Sequence, residues 1–139
     1  MLQRIILAAS LVSLAVGCGG NANLGAVRGK VTLDGQPLER AFVVFAPTSG
    51  GTTSYGRTDG QGNYEMMFSD TEAGAWLGEN VVRISTADVG TGDTPGSKER
   101  VPLVYNRDST LKVTVASTAN EFNFDLKTSA GAVQTTIIE

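Results

Sequence analysis

From Val27 onwards the chain alternates between hydrophobic and polar residues with a period of two. Valine, glycine and leucine occupy every second position from Val27 to Leu33, and arginine, lysine and threonine lie between them. A period of two places one set of side chains on one face of a strand, so this segment predicts a half-buried β-strand. Five more segments predict strands in the same way: Thr52–Arg57, Tyr64–Ser69, Val81–Thr86, Leu111–Ala116 and Phe122–Lys127.

A seventh segment, Ala41–Ala46, is apolar throughout and is followed by Pro47. It is too short for a helix and rich in β-forming residues, so we expect a strand covered on both faces. Turn residues separate the segments at Asp34–Pro37 and Asp59–Asn63. No segment after residue 20 has the pattern of an amphipathic helix. The sequence therefore predicts an all-β chain folded as a seven-stranded antiparallel β-sandwich.

The first eighteen residues follow a different pattern. Arg4 and the amino terminus supply a basic start, Ile5–Leu14 is an apolar stretch, and small residues lead to Cys18. This order is typical of a bacterial secretory signal that ends in a lipobox-like site, so we expect cleavage before Cys18 and lipid on its thiol. The apolar run falls short of the roughly 20 residues that span a bilayer. A retained helical anchor and cleavage nearby by an ordinary signal peptidase are the alternatives.

These patterns divide the chain into four parts. We expect a signal peptide at 1–17, a flexible glycine-rich tether at 18–26, the sandwich at 27–127 and a tail at 128–139. Within the sandwich, Ala87–Thr110 is a long connection rich in glycine and proline. Connections of that length are either functional or disordered, so this one is the candidate contact surface. The tail is expected to fray, with an added edge strand as the alternative.

Composition narrows the classes of function. The chain has 11 basic and 14 acidic residues, one cysteine and no histidine. Without Arg4 the mature chain has 10 basic residues against 14 acidic ones, a formal charge of −4, and no basic cluster for nucleic acid. The lack of histidine excludes histidine-dependent triads and most zinc sites. A single cysteine excludes an internal disulfide. We expect no metal, no cofactor and no enzymatic activity.

Thr58–Asn63 has two interpretations. Asp59 and Asn63 offer the oxygen ligands that Ca²⁺ prefers, but the segment lacks the alternating acidic ligands and distal glutamate of an EF-hand. The alternative, which we favour, is a turn in which Asp59 binds local backbone amides and the glycines adopt positive φ.

Catalytic groups are sparse. Without histidine, a serine nucleophile would need a lysine partner, and Ser97 with Lys98 is the candidate pair. Asp88 and Asp93 are the candidates for a pair of catalytic carboxylates. All four lie in the long connection, where adjacent side chains diverge and acidic groups are solvated. The sequence therefore favours a protein that is not an enzyme.

Three aromatic residues, Tyr55, Trp76 and Tyr105, lie outside the clearest core positions and could stack on sugar rings. Glycines on either side of Trp76 would help to expose it. The favoured alternative is that Trp76 closes one end of the sandwich, since large aromatic side chains are usually buried. The five phenylalanines follow the strand patterns and are expected in the core: Phe42, Phe45, Phe68, Phe122 and Phe124.

Several segments resemble known domains. Val27–Leu38 resembles the opening of carboxypeptidase regulatory-like domains, and Gly56–Tyr64 resembles their most recognisable segment. Gly74–Gly78 fits the entry to their next strand, although Asn80 stands where an aromatic residue is common. The resemblance implies a transthyretin-like Greek-key fold and brings no catalytic residues. Three later segments look like the closing half of small planctomycete-type lipoproteins: Pro102–Tyr105, Ser109–Leu111 and Phe122–Leu126.

Together these observations predict a lipid-anchored protein of the cell envelope, at the outer membrane or cell surface. Its sandwich would be a non-catalytic structural or protein-interaction module. The expected partners are the membrane, through lipid on Cys18, and envelope proteins or polysaccharide, but not nucleic acid. The alternative function is a carbohydrate-binding module that uses Trp76, Tyr55 or Tyr105.

Overall fold

The structure is a computed structural model that describes residues 20–134. Within this range the chain forms strands and two short 3₁₀ turns, at Leu103–Tyr105 and Thr128–Ala130, and no α-helix. Neither turn is long and apolar enough to cross a membrane. The strands are β1 (Leu24–Gly25), β2 (Val27–Leu33), β3 (Gln36–Pro37), β4 (Phe42–Pro47), β5 (Ser54–Arg57), β6 (Asn63–Glu65), β7 (Ala75–Trp76), β8 (Gly78–Ser85), β9 (Lys112–Val115), β10 (Asn120–Glu121) and β11 (Phe124–Leu126).

The strands form two main sheets and a short ribbon. One sheet has the order β5-β4-β8-β9 and is antiparallel throughout. In the other, β2 is the central strand, with β3 and β6 antiparallel to it on one side and β10 and β11 parallel to it on the other. The expectation of a wholly antiparallel sandwich is therefore wrong at β10 and β11. A period of two reports which face a side chain occupies and carries no information on strand direction.

The parallel pairing depends on close backbone approach at Gly29. A Cβ atom there would overlap the carbonyl oxygen of Phe122, so glycine is required. The Tyr64 hydroxyl donates to that carbonyl at 2.6 Å, while the backbone N–H of Lys30 donates to Oδ1 of Asn123 at 2.9 Å. Burial raises the pKa of Tyr64, which keeps its hydroxyl protonated as a donor.

The core lies between the two main sheets. Alternate residues of β2, β4 and β8 point into it, and its fully buried side chains include Val31, Phe45 and Ile84. The outer face of β4 is only partly covered, so the continuous apolar run Ala41–Ala46 belongs to a strand with one fully buried face. Of the phenylalanines, Phe45 and Phe124 are buried, whereas Phe42, Phe68 and Phe122 are half-buried.

Asn80 is a polar side chain inside this core. It is fully buried on the inner face of β8, and its Nδ2 donates to the carbonyl oxygens of Trp76 and Gly78, at 2.9 and 3.0 Å. Among the described residues its Oδ1 has no partner. The amide therefore fixes the turn between β7 and β8, where Gly78 has a φ of 94°, in place of the aromatic residue that the family resemblance implies.

Both ends of the described range are more ordered than expected. Leu24 and Gly25, inside the predicted tether, pair with β7. In the tail, Val133 pairs with Pro102, and the carboxylate of Asp34 accepts hydrogen bonds from the N–H and hydroxyl of Thr128. The described part of the tail therefore does not fray. Residues 1–19, including Cys18, and residues 135–139 lie outside the described residues.

Candidate functional site

The long connection after β8 contains an ordered hairpin. Asp88 pairs with Ser97, and Thr91 pairs with Thr94 across a tight turn in which Gly92 has a φ of 55°. Residues 88–97 are named the hairpin below. The side chain of Val89 is 98% exposed on it. The candidate contact surface predicted at 87–110 is therefore, in this part, a defined structure.

Charged groups hold the hairpin against the sandwich. The guanidinium of Arg57 on β5 contacts the carboxylate of Asp88 at 3.1 Å and lies 4.6 Å from the ring centre of Phe42. The N–H of Gly90 donates to the other carboxylate oxygen of Asp88 at 3.0 Å. The Gly90 amide, with the Arg57 guanidinium, lowers the pKa of Asp88. The hairpin is thereby fixed at the end of the sandwich where β8 finishes.

Glu99 is the second attachment, and it was not predicted from the sequence. Its half-buried carboxylate accepts hydrogen bonds from residues on both sides of the loop, which joins the end of β8 to the chain that follows the hairpin. Burial alone would raise the pKa of Glu99, but these hydrogen bonds outweigh it and lower the pKa. The donors are the Ser85 hydroxyl, the N–H and hydroxyl of Thr86, the N–H groups of Arg100 and Val101, and Nδ2 of Asn106.

No signal in the sequence marks Glu99, because it lies in a polar loop without periodicity. A weak hint comes from Val101 and Pro102, which follow it after Arg100 and are both buried. An apolar pair at the end of a long connection indicates a return to the core. The residue just before such a return is well placed to attach the loop.

Trp76 lies at the opposite end of the molecule, where β7 meets β1. It is half-buried: its ring stacks on Phe68 with the ring centres 6.1 Å apart, and Gly51 lies close against it. A Cβ on Gly51 would come within 2.7 Å of three indole atoms. Residues Leu24, Gly51, Phe68 and Trp76 are named the tryptophan end below. The ring closes this end of the sandwich and presents only part of its surface for stacking.

Tyr55 and Tyr105 lie on different elements from Trp76. Tyr55 is 58% exposed on β5 and pairs with Met67. Tyr105 is half-buried, and its hydroxyl accepts the N–H of Lys127 at 3.3 Å. The Tyr105 turn lies beside Asn106, near the Ser85 end of β8, whereas Trp76 precedes the first residue of β8. A strand of that length separates them by roughly 23 Å. Contact of a sugar with any one of these three aromatic side chains stays a prediction.

The remaining sequence candidates are occupied by local contacts. Oδ1 of Asp59 accepts the N–H groups of Gln61 and Asn63 at 2.9 and 3.0 Å, which is the geometry of a turn. The hydroxyl of Ser97 donates to the carbonyl of Thr86 and not toward Lys98. Within residues 20–134, no three acidic, histidine or cysteine side chains are grouped closely enough to hold a metal ion.

An open polar groove crosses the outer face of β2. It has a volume of about 490 Å³, and along β2 it is lined by Arg28, Lys30 and Thr32. Carboxylates and amides from the flanking segments face the basic side chains of β2, so the groove has no single sign of charge. The residues that line it beside β2 are Asn63, Tyr64, Glu121, Asn123 and Asp125.

Comparisons with known proteins assign no family to the chain. No protein-family model matches the chain, and no curated protein matches it. A crystal structure of a DUF3823 family protein from Parabacteroides merdae is similar at a TM-score of 0.40 and 16% identity. The match covers 76% of this chain and 47% of that one, so the chain spans about half of its length. The resemblance to carboxypeptidase regulatory-like domains and the lipidation of Cys18 stay predictions.

Proposed function

We propose that the protein is a lipid-anchored envelope protein whose β-sandwich, of the carboxypeptidase regulatory-like and transthyretin-like kind, is a non-catalytic interaction module. Cys18 carries the lipid, and the hairpin is the contact surface for another envelope protein. The all-β architecture supports the interaction module, because a stable sandwich is a suitable scaffold for a binding loop. The predicted signal sequence supports the lipid anchor.

The observation that carries the contact surface is the fixed, projecting hairpin. Ordering ten loop residues costs conformational entropy, and here that cost is offset by Glu99, by the Arg57–Asp88 ion pair and by backbone pairing. A loop that is already ordered loses less entropy on binding, which favours affinity. Exposure of Val89 supplies an apolar contact at its surface.

Lipidation is tested by replacing Cys18 with serine in the full chain. We expect the protein to move from the membrane fraction to the soluble fraction and to lose incorporation of labelled palmitate. Unchanged membrane retention of the Cys18→Ser variant would contradict the anchor.

The contact surface is tested with a photo-cross-linking amino acid placed at Val89 in intact cells. Thr114, exposed on β9 in the sheet body, is the matched control position. We expect protein adducts at Val89 and few at Thr114, and we expect Glu99→Ala to remove them. Equal adducts at both positions would contradict the assignment. If a saccharide shifts the fluorescence of Trp76 and does not bind the Trp76→Ala variant, the carbohydrate-binding alternative would replace the protein-interaction function.

A further inference from the structure

The chain between Cys18 and the sandwich is very short. Residues from Asn21 onwards are already attached to the tryptophan end: the N–H of Asn21 donates to Glu72 at 3.1 Å, and the carbonyl of Asn23 accepts the N–H of Leu77 at 2.9 Å. Leu24 then pairs with Trp76. The predicted tether of 18–26 is therefore reduced to the residues before Asn21, and only Gly19 and Gly20 lie between Asn21 and Cys18.

This spacing limits how far the sandwich can lie from a lipid on Cys18. Three residue steps of extended chain reach at most about 11 Å from Cys18 to Asn21. The hairpin lies beyond the other end of β8, whose eight residues span roughly 23 Å. A bilayer that holds the lipid is therefore within reach of the tryptophan end, and the hairpin lies far from it.

The surface at this end suits a lipid headgroup region. Leu24, Phe68 and Trp76 are each half-buried, so part of each apolar side chain remains at the surface. Tryptophan combines an apolar ring with a polar N–H and is enriched where membrane meets water. The nearby acidic residues Asp70 and Glu72 favour neutral over anionic lipids.

We propose that the tryptophan end contacts the membrane surface at the level of neutral headgroups, with the hairpin directed away from the bilayer. This orientation rests on the lipidation of Cys18 in the proposed function. It assigns a task to the partial exposure of Trp76, and it presents the hairpin to partners in the surrounding envelope.

Trp76 is the only tryptophan, so its fluorescence reports this contact directly. In one arm, the lipoprotein isolated from cell membranes is reconstituted in phosphatidylcholine vesicles with brominated acyl chains, and flotation measures anchoring. In the second, the chain Cys18–Glu139 is coupled through its thiol to a spacer-free maleimide lipid. Removing residues 1–17 leaves every described residue in place, and the buried core of the described residues lies between Val27 and Leu126.

The apolar face of an interfacial helix is buried roughly 5–10 Å into the boundary between headgroups and acyl chains. For a similar depth of Trp76 we expect the brominated lipid to remove about half of its emission. The matched probe, Val89→Trp combined with Trp76→Phe, should lose little. If the brominated lipid quenches Trp76 no more than it quenches the hairpin probe, the orientation is overturned. Failure of the isolated protein to float would instead overturn the anchor, and the orientation in the cell with it.

Two further measurements leave the sandwich unaltered. Aqueous iodide should quench the fluorescence of Trp76 less in the vesicle-bound protein than in the soluble Cys18→Ser chain. Equal quenching in the two would overturn the contact. Inserting about ten glycine and serine residues between Gly20 and Asn21 gives a flexible spacer. It should keep anchoring and abolish quenching by the brominated lipid. Unchanged quenching would overturn the short spacer as the cause of the orientation.

Discussion

The two ends of the sandwich are held by different kinds of interaction. At the tryptophan end, aromatic packing between Trp76 and Phe68 joins a short strand pair, β1 with β7. At the hairpin end, the carboxylates of Asp88 and Glu99 bind a guanidinium, hydroxyls and backbone N–H groups. One scaffold thus has an end held mainly by aromatic and strand packing and another held mainly by ionised carboxylates.

The difference follows from how much apolar surface each end can bury. The tryptophan end contributes Ala75, and Leu77 packs against the same cluster. Between Asp88 and Ser97 no side chain belongs to the core. A segment that buries no apolar surface needs hydrogen bonds and ion pairs to stay ordered, because the entropy of its backbone must still be offset.

The largest effect is expected from Glu99→Ala. Its removal leaves several N–H and hydroxyl groups without their acceptor in a partly buried place, which should lower the free energy of unfolding by about 3 kcal/mol. Urea unfolding followed by Trp76 fluorescence measures it. Glu99→Gln, which keeps one acceptor oxygen, should lose less. Equal losses for both variants would show that the single amide oxygen of glutamine replaces none of the hydrogen bonds that the Glu99 carboxylate accepts.

Trp76→Ala tests the other end. Because the ring is only half-buried, we expect a loss of about 2 kcal/mol, below that of a fully buried tryptophan. Trp76→Phe keeps an aromatic contact with Phe68 and should recover most of it. Both variants lack the tryptophan fluorophore, so their stability is measured by thermal unfolding followed by circular dichroism. Amide exchange in the hairpin should stay unchanged, and a faster exchange there would show that the two ends are coupled.

Acidification should act on the hairpin end first. The pKa values of Asp88 and Glu99 are lowered from their ordinary values of 3.8 and 4.5, so both groups are ionised in the fold. Their stabilisation is complete above those values and is lost as the pH falls through the lower values of the folded state. We expect exchange of the Gly90 and Thr91 amides to accelerate in that range, before Trp76 fluorescence changes.

A local readout is needed because Asp34 also has a lowered pKa, through its hydrogen bonds to Thr128, and holds the tail. Simultaneous loss at Gly90 and at Trp76 would contradict a difference between the ends. In Glu99→Gln the part of the transition due to Glu99 should be absent.

The smallest effect is expected from Arg57→Met. The ion pair with Asp88 is solvent-accessible, and exposed pairs contribute little to global stability. Methionine retains contact with Phe42, so the change isolates the charge. We expect a modest rise in hairpin amide exchange at low salt and almost none at high salt, where the wild-type pair is already screened. A loss as large as that of Glu99→Ala would reverse the ranking of the two attachments.

Prediction from the sequence succeeded where burial alternates along a strand. Each of the seven predicted segments overlaps an observed strand, and β2 has the same bounds as its prediction. It failed at the two-residue strands β1, β3, β7 and β10, which are too short to show a period. For the candidate site, the sequence located the long connection, but neither the hairpin nor Glu99, since their partners are distant side chains.

By itself, the sequence determined the all-β class, the positions of the longer strands and the identity of Trp76 as a residue at the edge of the core. These follow from local periodicity, which depends only on near neighbours along the chain. Tertiary structure alone decided the parallel pairing beside Gly29, the attachment of Asn21–Gly25 to the tryptophan end and the hydrogen bonds of Glu99. Each of these joins groups brought together only when the two sheets close over their shared core.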